Sequence, residues 1–280
     1  MFWRLVNMLI LKDILELLDT IAPFDISEKR DNSGMQVGNN NLPVKKIMIG
    51  LDVAMPLLFE ARKWGADLVI THHPLMIQPQ NVIDFKTMPG KAIQLAAQEN
   101  MGIISIHTNL DKAKDGLNDY FSSLIGLKDT KVFAADSVEQ AMVNEERTTG
   151  IGRIGNLEKP TSLFQFVNII KARLKLPRLR VTGKMTLPVE RAAVCTGSGG
   201  SLINNFIASD ADVYITGDLR YHDARLAEEY SKGLIDVGHF GSEYMAVDLI
   251  ADKLTLAAKI NEMNLSIKKY KNEKDPFNIV

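Results

Sequence analysis

Histidines are the side chains whose positions in this sequence point most directly to chemistry, and the chain has five of them. His72 and His73 are adjacent and directly follow an apolar run that is typical of a buried strand, and His107 closes the next such run. His239 follows the last apolar run, whereas His222 opens a helical segment. Four of the five histidines therefore follow predicted strands.

Two carboxylates accompany these histidines at short spacing. Asp111 comes four residues after His107, and Glu243 comes four residues after His239. Imidazole nitrogen and carboxylate oxygen bind Zn²⁺, Mn²⁺ and Fe²⁺ readily. The single cysteine, Cys195, can form neither an internal disulfide nor a thiolate zinc site, so any metal must be held by His, Asp and Glu.

The number of candidate ligands suggests more than one metal ion. A catalytic ion needs about three protein ligands, so three histidines and two carboxylates suit two ions that share bridging carboxylates. A structural explanation exists for each residue alone, because a strand-end histidine is usually hydrogen-bonded and an i, i+4 pair such as His239 and Glu243 also suits a helix start. The joint pattern favours a metal site.

The elements that must position these residues alternate between strands and helices. Apolar runs that predict strands lie at 46–52, 66–71, 102–106, 192–195, 211–216 and 234–237. Continuous apolar runs separated by helices are typical of parallel strands covered on both faces, which predicts an α/β fold. Ligands bind beyond the carboxyl ends of such strands, where four of the histidines lie.

Weaker signals between residues 127 and 188 suggest a domain junction near residue 130. We predict an N-terminal α/β domain at 1–130, which carries His72, His73 and Asp111, and a second α/β domain at 131–280. A terminal helix from about residue 243 belongs to the second domain in sequence, and whether it packs back on the first domain stays open. The hexapeptides at 66–71 and 211–216 share four of six residues, from duplication or from similar use of β-formers.

Composition excludes some classes of function. The 33 basic and 34 acidic residues give a net charge of −1, so no global field attracts nucleic acid or an anionic membrane. No signal peptide is evident, and no apolar stretch of about 18 residues predicts a transmembrane helix. We expect a cytoplasmic protein that binds a small molecule.

Other motifs are weak or missing. The turn at 196–200, Thr-Gly-Ser-Gly-Gly, could cradle a phosphate, but a tight turn between a strand and a helix is the favoured interpretation. The chain contains neither a dinucleotide-binding G-x-G-x-x-G after a strand nor the zinc-protease motif H-E-x-x-H.

Five ordered motifs together resemble a known family. They lie at 31–38, 71–74, 107–119, 216–224 and 236–243. The chain resembles the NGG-one-interacting-factor-three-like family, whose members are often called GTP cyclohydrolase 1 type 2 homologues, over about residues 8–262. The resemblance implies two α/β/α layered domains facing each other across a cleft with a dinuclear metal site, and a homohexamer.

The resemblance also assigns roles to residues. It places the metal ligands on His72, His73, Asp111, His239 and Glu243, with Glu243 as a bridge. His107 lies beside the metals as a supporting group or a proton donor.

From this we expect a hydrolase that uses two divalent ions, Zn, Mn or Fe, on a small phosphorylated or nucleotide-like substrate. A metal-bound hydroxide would be the nucleophile and His107 a general acid or base. The cyclohydrolase name has no independent support, because Cys195 is not near any ligand motif. The alternative is a non-catalytic metal-binding chaperone, metal-handling factor or interaction scaffold. An open coordination position in a cleft lined by His107, His222 and Asp218 would favour the enzyme.

Overall fold

The structure is a computed structural model that describes residues 8–136 and 149–278. The described residues form two compact units. The first unit comprises the residues up to Leu110 together with Ala246–Glu273, and the second unit comprises Asp111–Met245 and the residues from Lys274 onward. The chain therefore leaves the first unit and later returns to it.

A five-stranded sheet forms the centre of the first unit. Its strands are β1 (Gly34–Val37), β2 (Lys46–Gly50), β3 (Leu68–Thr71), β4 (Gly102–Ser105) and β11 (Ser266–Lys269). The strand order is β1-β4-β3-β2-β11, in which β1 is antiparallel to β4 and the other neighbours are parallel. Every residue of β3 and β4 is buried, as the continuous apolar runs predict.

Helices cover both faces of this sheet. They are α1 (Leu11–Ile21), α2 (Met55–Trp64), α3 (Gly90–Gln98), α4 (Thr108–Lys112), which crosses into the second unit, and α10 (Ala246–Ile260). The α2 and α3 helices pack with Val69 and Ile103 in one hydrophobic core. Leu11 of α1 lies against Gly102, which faces the other side because side chains alternate along a strand. The α10 helix packs on α1 and β2.

The second unit contains a six-stranded sheet. Its strands are β5 (Leu127–Ala135), β6 (Gly150–Ser162), β7 (Arg180–Thr182), β8 (Pro188–Ser198), β9 (Val213–Gly217) and β10 (Gly233–Asp236). The order is β5-β6-β8-β9-β10-β7, and β8, β9 and β10 are parallel while the flanking strands are antiparallel.

Helices also cover both faces of the second sheet. They are α5 (Leu117–Ile125), α6 (Leu163–Leu174), α7 (Ile203–Ala208), α8 (Tyr221–Glu229) and α9 (His239–Glu243). Phe121 of α5 and Phe166 of α6 share a core with Ile215. Phe206 of α7 and Tyr214 of β9 lie in a core on the other face. The prediction of an α/β protein with two layered domains is confirmed.

The division between the units lies at Leu110 and Asp111, whereas the sequence predicts a junction near residue 130. Residue 130 falls inside β5. Phe121 and Leu127 pack in the same core as residues of β8 to β10, so α5 and β5 belong with the second sheet. The terminal helix α10 belongs to the first unit.

The two hexapeptides of similar sequence occupy equivalent places in their units. One carboxylate oxygen of Asp67, just before β3, accepts the N–H groups of Lys45 and Lys46 at 2.9 and 2.8 Å. One carboxylate oxygen of Asp212, just before β9, accepts the N–H groups of Glu190 and Arg191 at 2.8 and 2.9 Å. This shared detail favours duplication of an α/β unit.

The described helices fall short of the length and apolar character that a membrane span requires. The α10 helix has 15 residues, and none of the described helices is long and apolar enough to cross a membrane.

Candidate metal centre

Three histidines converge at the carboxyl ends of β3 and β4 in the first unit. The two strands are parallel neighbours with Thr71 paired to Ser105, so the residues that follow them meet at one edge of the sheet. The ring centroid of His72 lies 5.1 Å from that of His73 and 5.2 Å from that of His107, and His73 and His107 are 5.7 Å apart. One ligand nitrogen of each ring lies within 4.8 Å of the others, which is close enough to hold a metal ion.

Each of these rings is oriented by an acceptor at Nδ1. His72 Nδ1 is 2.9 Å from the carbonyl oxygen of Ile106, His73 Nδ1 is 2.8 Å from Asp52 Oδ1, and His107 Nδ1 is 2.7 Å from Asp31 Oδ1. Carbonyl and carboxylate oxygens only accept, so we assign the proton of each neutral ring to Nδ1 and the lone pair to Nε2. Metal-binding histidines show this arrangement, in which the second nitrogen donates to a carboxylate or carbonyl.

Asp31 is a buried carboxylate with several donors. Thr108 Oγ1 donates to it at 2.5 Å and Ser33 Oγ at 2.7 Å, in addition to His107. Burial raises the pKa of the Asp31 carboxyl, but the hydrogen bonds from His107, Thr108 and Ser33 together hold that pKa well below its ordinary value of 3.8. Asp31 is therefore ionised at neutral pH and accepts the Nδ1–H of His107 as a carboxylate.

A second set of donors lies in the second unit, on α9. His239 and Glu243 are four residues apart and so share one helix face, with His239 Nε2 2.9 Å from Glu243 Oε2. His239 Nδ1 is 2.7 Å from Asp218 Oδ2, so in the neutral ring the lone pair of Nε2 faces the Glu243 carboxylate. Two electron-rich atoms at this distance need a proton or a metal cation between them, which suits a pair of metal ligands.

A glycine makes room for the Glu243 carboxylate. Gly197 has φ +65°, and a Cβ atom at this position would lie 2.2 Å from Glu243 Oε1. The Gly197 N–H donates to Ser242 Oγ at 2.8 Å, and Ser242 Oγ donates to the His239 carbonyl at the same distance. The last residues of β8 therefore fix α9 and leave space that the carboxylate fills.

Asp111 is the third predicted metal ligand in the second unit, and it is buried near the end of β8. Its Oδ1 accepts the hydroxyl of Thr196 at 3.2 Å, and its carbonyl accepts the side-chain amide of Asn118 at 3.1 Å. Burial raises the pKa of the Cys195 thiol to about 12, with a further contribution from the negative charge of Asp111. A cation is therefore stabilised, and a thiolate is disfavoured, in this part of the unit.

Comparison with known proteins decides the family. The sequence profile of Duf34/NIF3 (NGG1p interacting factor 3) matches residues 9–276. The chain belongs to the DUF34/NIF3 family. The family resemblance predicted from the five motifs is confirmed.

Relatives of this NIF3 family protein match over nearly their full length. The "GTP cyclohydrolase 1 type 2 homolog" of Clostridium perfringens is 30% identical over 96% of this chain and 99% of its own length. The protein of the same name from Lactococcus lactis is 33% identical over 95% of this chain and 98% of its own length. Among solved structures, a Bacillus cereus protein related to NIF3 superposes with a TM-score of 0.90 at 25% identity, covering 98% of this chain and 100% of its own.

In this NIF3 family chain, the structure places the predicted site residues in two groups. The first unit brings His72, His73 and His107 together, and the second unit brings His239 and Glu243 together. His222 is exposed at the start of α8 with its ring edge-on to Tyr221. Of the predicted turn at 196–200, residues 196–198 are instead the end of β8, and the chain passes directly into the 3₁₀ helix Gly199–Leu202.

Two of the orienting carboxylates, Asp52 and Asp31, are not singled out as functional residues by the sequence, whereas Asp218 is. Asp52 is the second residue after β2 and Asp31 opens the first family motif, yet neither is near a histidine in sequence. The signals that could have identified them are a carboxylate at the end of the predicted strand 46–52, for Asp52, and a carboxylate within a matched motif, for Asp31.

Proposed function

We propose that this NIF3 family protein is a hydrolase that uses two divalent metal ions on a small phosphorylated or nucleotide-like substrate. The proposed ligands are His72, His73, Asp111, His239 and Glu243. The histidine cluster of the first unit supports this proposal most strongly. Each imidazole there donates its Nδ1–H to an oxygen, which leaves Nε2, with its lone pair, as the atom that would bind a metal ion. Nitrogen and oxygen donors without thiolate suit Zn²⁺, Mn²⁺ or Fe²⁺.

The bound ions would supply Lewis-acid chemistry, polarising a phosphoryl or carbonyl oxygen and making water more acidic. The chain's own contribution is to hold neutral imidazoles in fixed orientations and to place negative charge at Asp111 and Glu243, both of which are buried. This combination neutralises divalent cations while the histidines fix their positions.

His107 is the proposed proton-transfer group. Its Nδ1–H is held by Asp31 at 2.7 Å, so its Nε2 can accept a proton from water and return it to a leaving group. Ionised Asp31 stabilises the imidazolium that forms, as a carboxylate does beside a catalytic histidine in other hydrolases.

A hydrolysis screen over nucleotides and phosphoesters tests this proposal. Metal-replete wild type should turn over at least one substrate, and His107→Ala should lower that rate by about 10²–10⁴-fold while retaining its metal. Asp84→Asn, which changes an exposed carboxylate of the first unit, is the control and should keep the wild-type rate.

Two outcomes would contradict the proposal. Turnover that survives complete chelation of the metal excludes a metal-dependent mechanism. Absence of turnover on every substrate, with metal still tightly bound, favours a non-catalytic metal-binding or metal-handling protein. The homohexamer and the cytoplasmic location stay predictions, which size-exclusion chromatography with light scattering and cell fractionation can test.

A further inference from the structure

A separate concave region in the second unit lies at the carboxyl ends of β9 and β10. It has a volume of about 250 Å³ and lies where α8 begins and β7 forms the edge of the sheet. Arg180, Arg220 and Tyr221 line it, with Leu219 and Asp236 beneath. The carboxyl ends of parallel strands are where α/β proteins bind small molecules.

Two arginines present positive charge at this pocket. Arg180 donates to the Asp236 carboxylate and, at 2.9 Å, to the Leu219 carbonyl oxygen. Arg220 donates to Asp223 from Nε and Nη2, each at 3.2 Å. The Asp236 and Asp223 side chains are buried, whereas the Arg180 and Arg220 side chains are 73% and 75% exposed.

Because the two carboxylates are buried and the two guanidinium groups are exposed, a ligand in the pocket contacts the positive groups. Asp236 also accepts the N–H groups of Gly238 at 2.9 Å and Leu219 at 3.2 Å, so its oxygens are directed into the protein. The buried carboxylates therefore hold the guanidinium groups in place from beneath. Exposed guanidinium groups held in this way are suited to bind phosphate or carboxylate oxygens.

An aromatic ring lies beside the two arginines. Tyr221 is 71% exposed, and the ring of His222 packs edge-on against it at 5.4 Å between centroids. Val181, Ala224 and Leu234 give the pocket an apolar floor. An exposed aromatic face next to positive charge suits a planar ring attached to an anionic group.

The pocket borders the second-unit donors. Leu219 directly follows Asp218, whose carboxylate orients His239 at 2.7 Å. Asp236 receives the N–H of Gly238, the residue before His239. A ligand anchored at the arginines is thus held next to a proposed metal ligand.

We propose that this pocket is a binding subsite for the phosphate of a nucleoside monophosphate or similar phosphorylated ring compound. Arg180 and Arg220 bind the phosphate, and Tyr221 contacts the planar ring. The volume is below the roughly 300–1,000 Å³ typical of pockets for drug-sized ligands, which suits one phosphate with its neighbouring group. The inference rests on the proposed function only in treating the phosphorylated molecule as the substrate.

Calorimetric titration of the full chain with guanosine 5′-monophosphate and with inorganic phosphate tests the subsite. The titrations use the protein with its metal and again after chelation. We expect Arg220→Gln to weaken binding of both probes at least tenfold in both states, and Arg180→Lys to weaken it less. Tyr221→Ala should weaken binding of the nucleotide but not of phosphate, and Tyr221→Phe should preserve both.

Arg225→Gln is the matched control, because Arg225 lies on the same helix, is 60% exposed and pairs with Glu228. It should bind both probes within twofold of wild type. Thermal melts of all variants verify folding, and Arg180→Lys retains a cation for Asp236 if larger changes there impair the fold.

The outcomes separate this inference from the proposed function. Loss of binding in Arg220→Gln supports the subsite even if no substrate is hydrolysed. Equal binding by wild type and Arg220→Gln overturns the subsite, even if hydrolysis occurs. No binding of either probe to wild type at millimolar concentration overturns it as well.

Discussion

The two units place different side chains on similar scaffolds. In each, an aspartate before a parallel strand, Asp67 or Asp212, accepts two backbone N–H groups from the neighbouring strand. The first unit continues from β3 and β4 into three histidines, whereas the second unit combines one histidine, His239, with buried carboxylates. The first thus contributes mainly neutral nitrogen donors, and the second contributes mainly negative charge.

The means of positioning also differ. In the first unit each imidazole is held by a hydrogen bond from Nδ1 to a carbonyl or carboxylate. In the second unit the Glu243 carboxylate fits against Gly197, near the end of β8, where a Cβ atom would overlap it. Small backbone changes should therefore disturb the second unit most, and loss of hydrogen-bond partners should disturb the first.

The largest effect is expected from Gly197→Ala. The new Cβ would lie 2.2 Å from Glu243 Oε1 in a residue with φ +65°, so both the backbone and the carboxylate must move. Left-handed backbone strain and overpacking together should lower the free energy of unfolding by about 3 kcal/mol, as measured by urea denaturation.

Gly65→Ala is the control for backbone strain. Gly65 has φ +71° and ψ 47°, in the left-handed region, and the nearest atom to an added Cβ is Lys46 Nζ at 3.8 Å, so its cost should be about 1–2 kcal/mol. Equal destabilisation by the two variants would show that the contact with Glu243 does not matter.

A smaller effect is expected from Asp31→Asn in the first unit. The amide carries no charge and has one acceptor oxygen instead of two, so it cannot keep all the hydrogen bonds from His107, Thr108 and Ser33. We expect a loss of about 1–3 kcal/mol of stability at neutral pH. Burial raises the pKa of Asp31, but its hydrogen bonds lower that pKa by more than burial raises it. The pKa in the folded protein is therefore below the ordinary value of 3.8. Ionised Asp31 therefore stabilises the fold above about pH 4, and this advantage is lost as the pH falls through the folded pKa.

Denaturation of chelated wild type and Asp31→Asn at pH 7 and below pH 4 measures this dependence. The stability difference should shrink at the lower pH. Asp84→Asn, which changes an exposed carboxylate that accepts the Lys86 N–H, should show little difference at either pH. A gap between wild type and Asp31→Asn that stays constant with pH would exclude an ionised Asp31 as the stabilising group.

The smallest effect is expected at Glu273, near the C-terminus. Its carboxylate accepts the N–H groups of Leu51 and Asp52 at 2.9–3.0 Å, and Asp52 in turn holds His73. Glu273→Ala should cost about 1–2 kcal/mol of stability and weaken metal binding a few-fold. Asp275→Ala, in the same tail, is the control, and metal-competition titration is the measurement. Identical metal affinity in Glu273→Ala and wild type would show that Glu273 does not position Asp52.

The strands and the histidines after them could be predicted from sequence because their signals are local. Val69 and Ile103 lie in continuous apolar runs, and such runs are typical of buried parallel strands wherever they occur. The position of the division between units could not be predicted, because Phe121 and Leu127 are assigned to the second sheet only by packing with distant residues.

The residues that position the candidate ligands could not be predicted from sequence either. Glu273 contacts Leu51 across 222 residues of sequence, and Asp31 contacts His107 across 76. No local spacing rule connects such pairs. The sequence predicted a turn at Gly197, which lies near the end of β8 instead, and the role of Gly197 in making room for Glu243 depends on where α9 lies.

Metal content measured by elemental analysis on purified, folded variants tests the central claim most directly. Wild type should carry tightly bound divalent metal, and His73→Ala and Glu243→Ala should each lose much of it while retaining wild-type circular dichroism. His222→Ala, which removes an exposed histidine of the same chain, should keep its full content. Full metal content in both His73→Ala and Glu243→Ala would contradict the assignment of these residues as ligands.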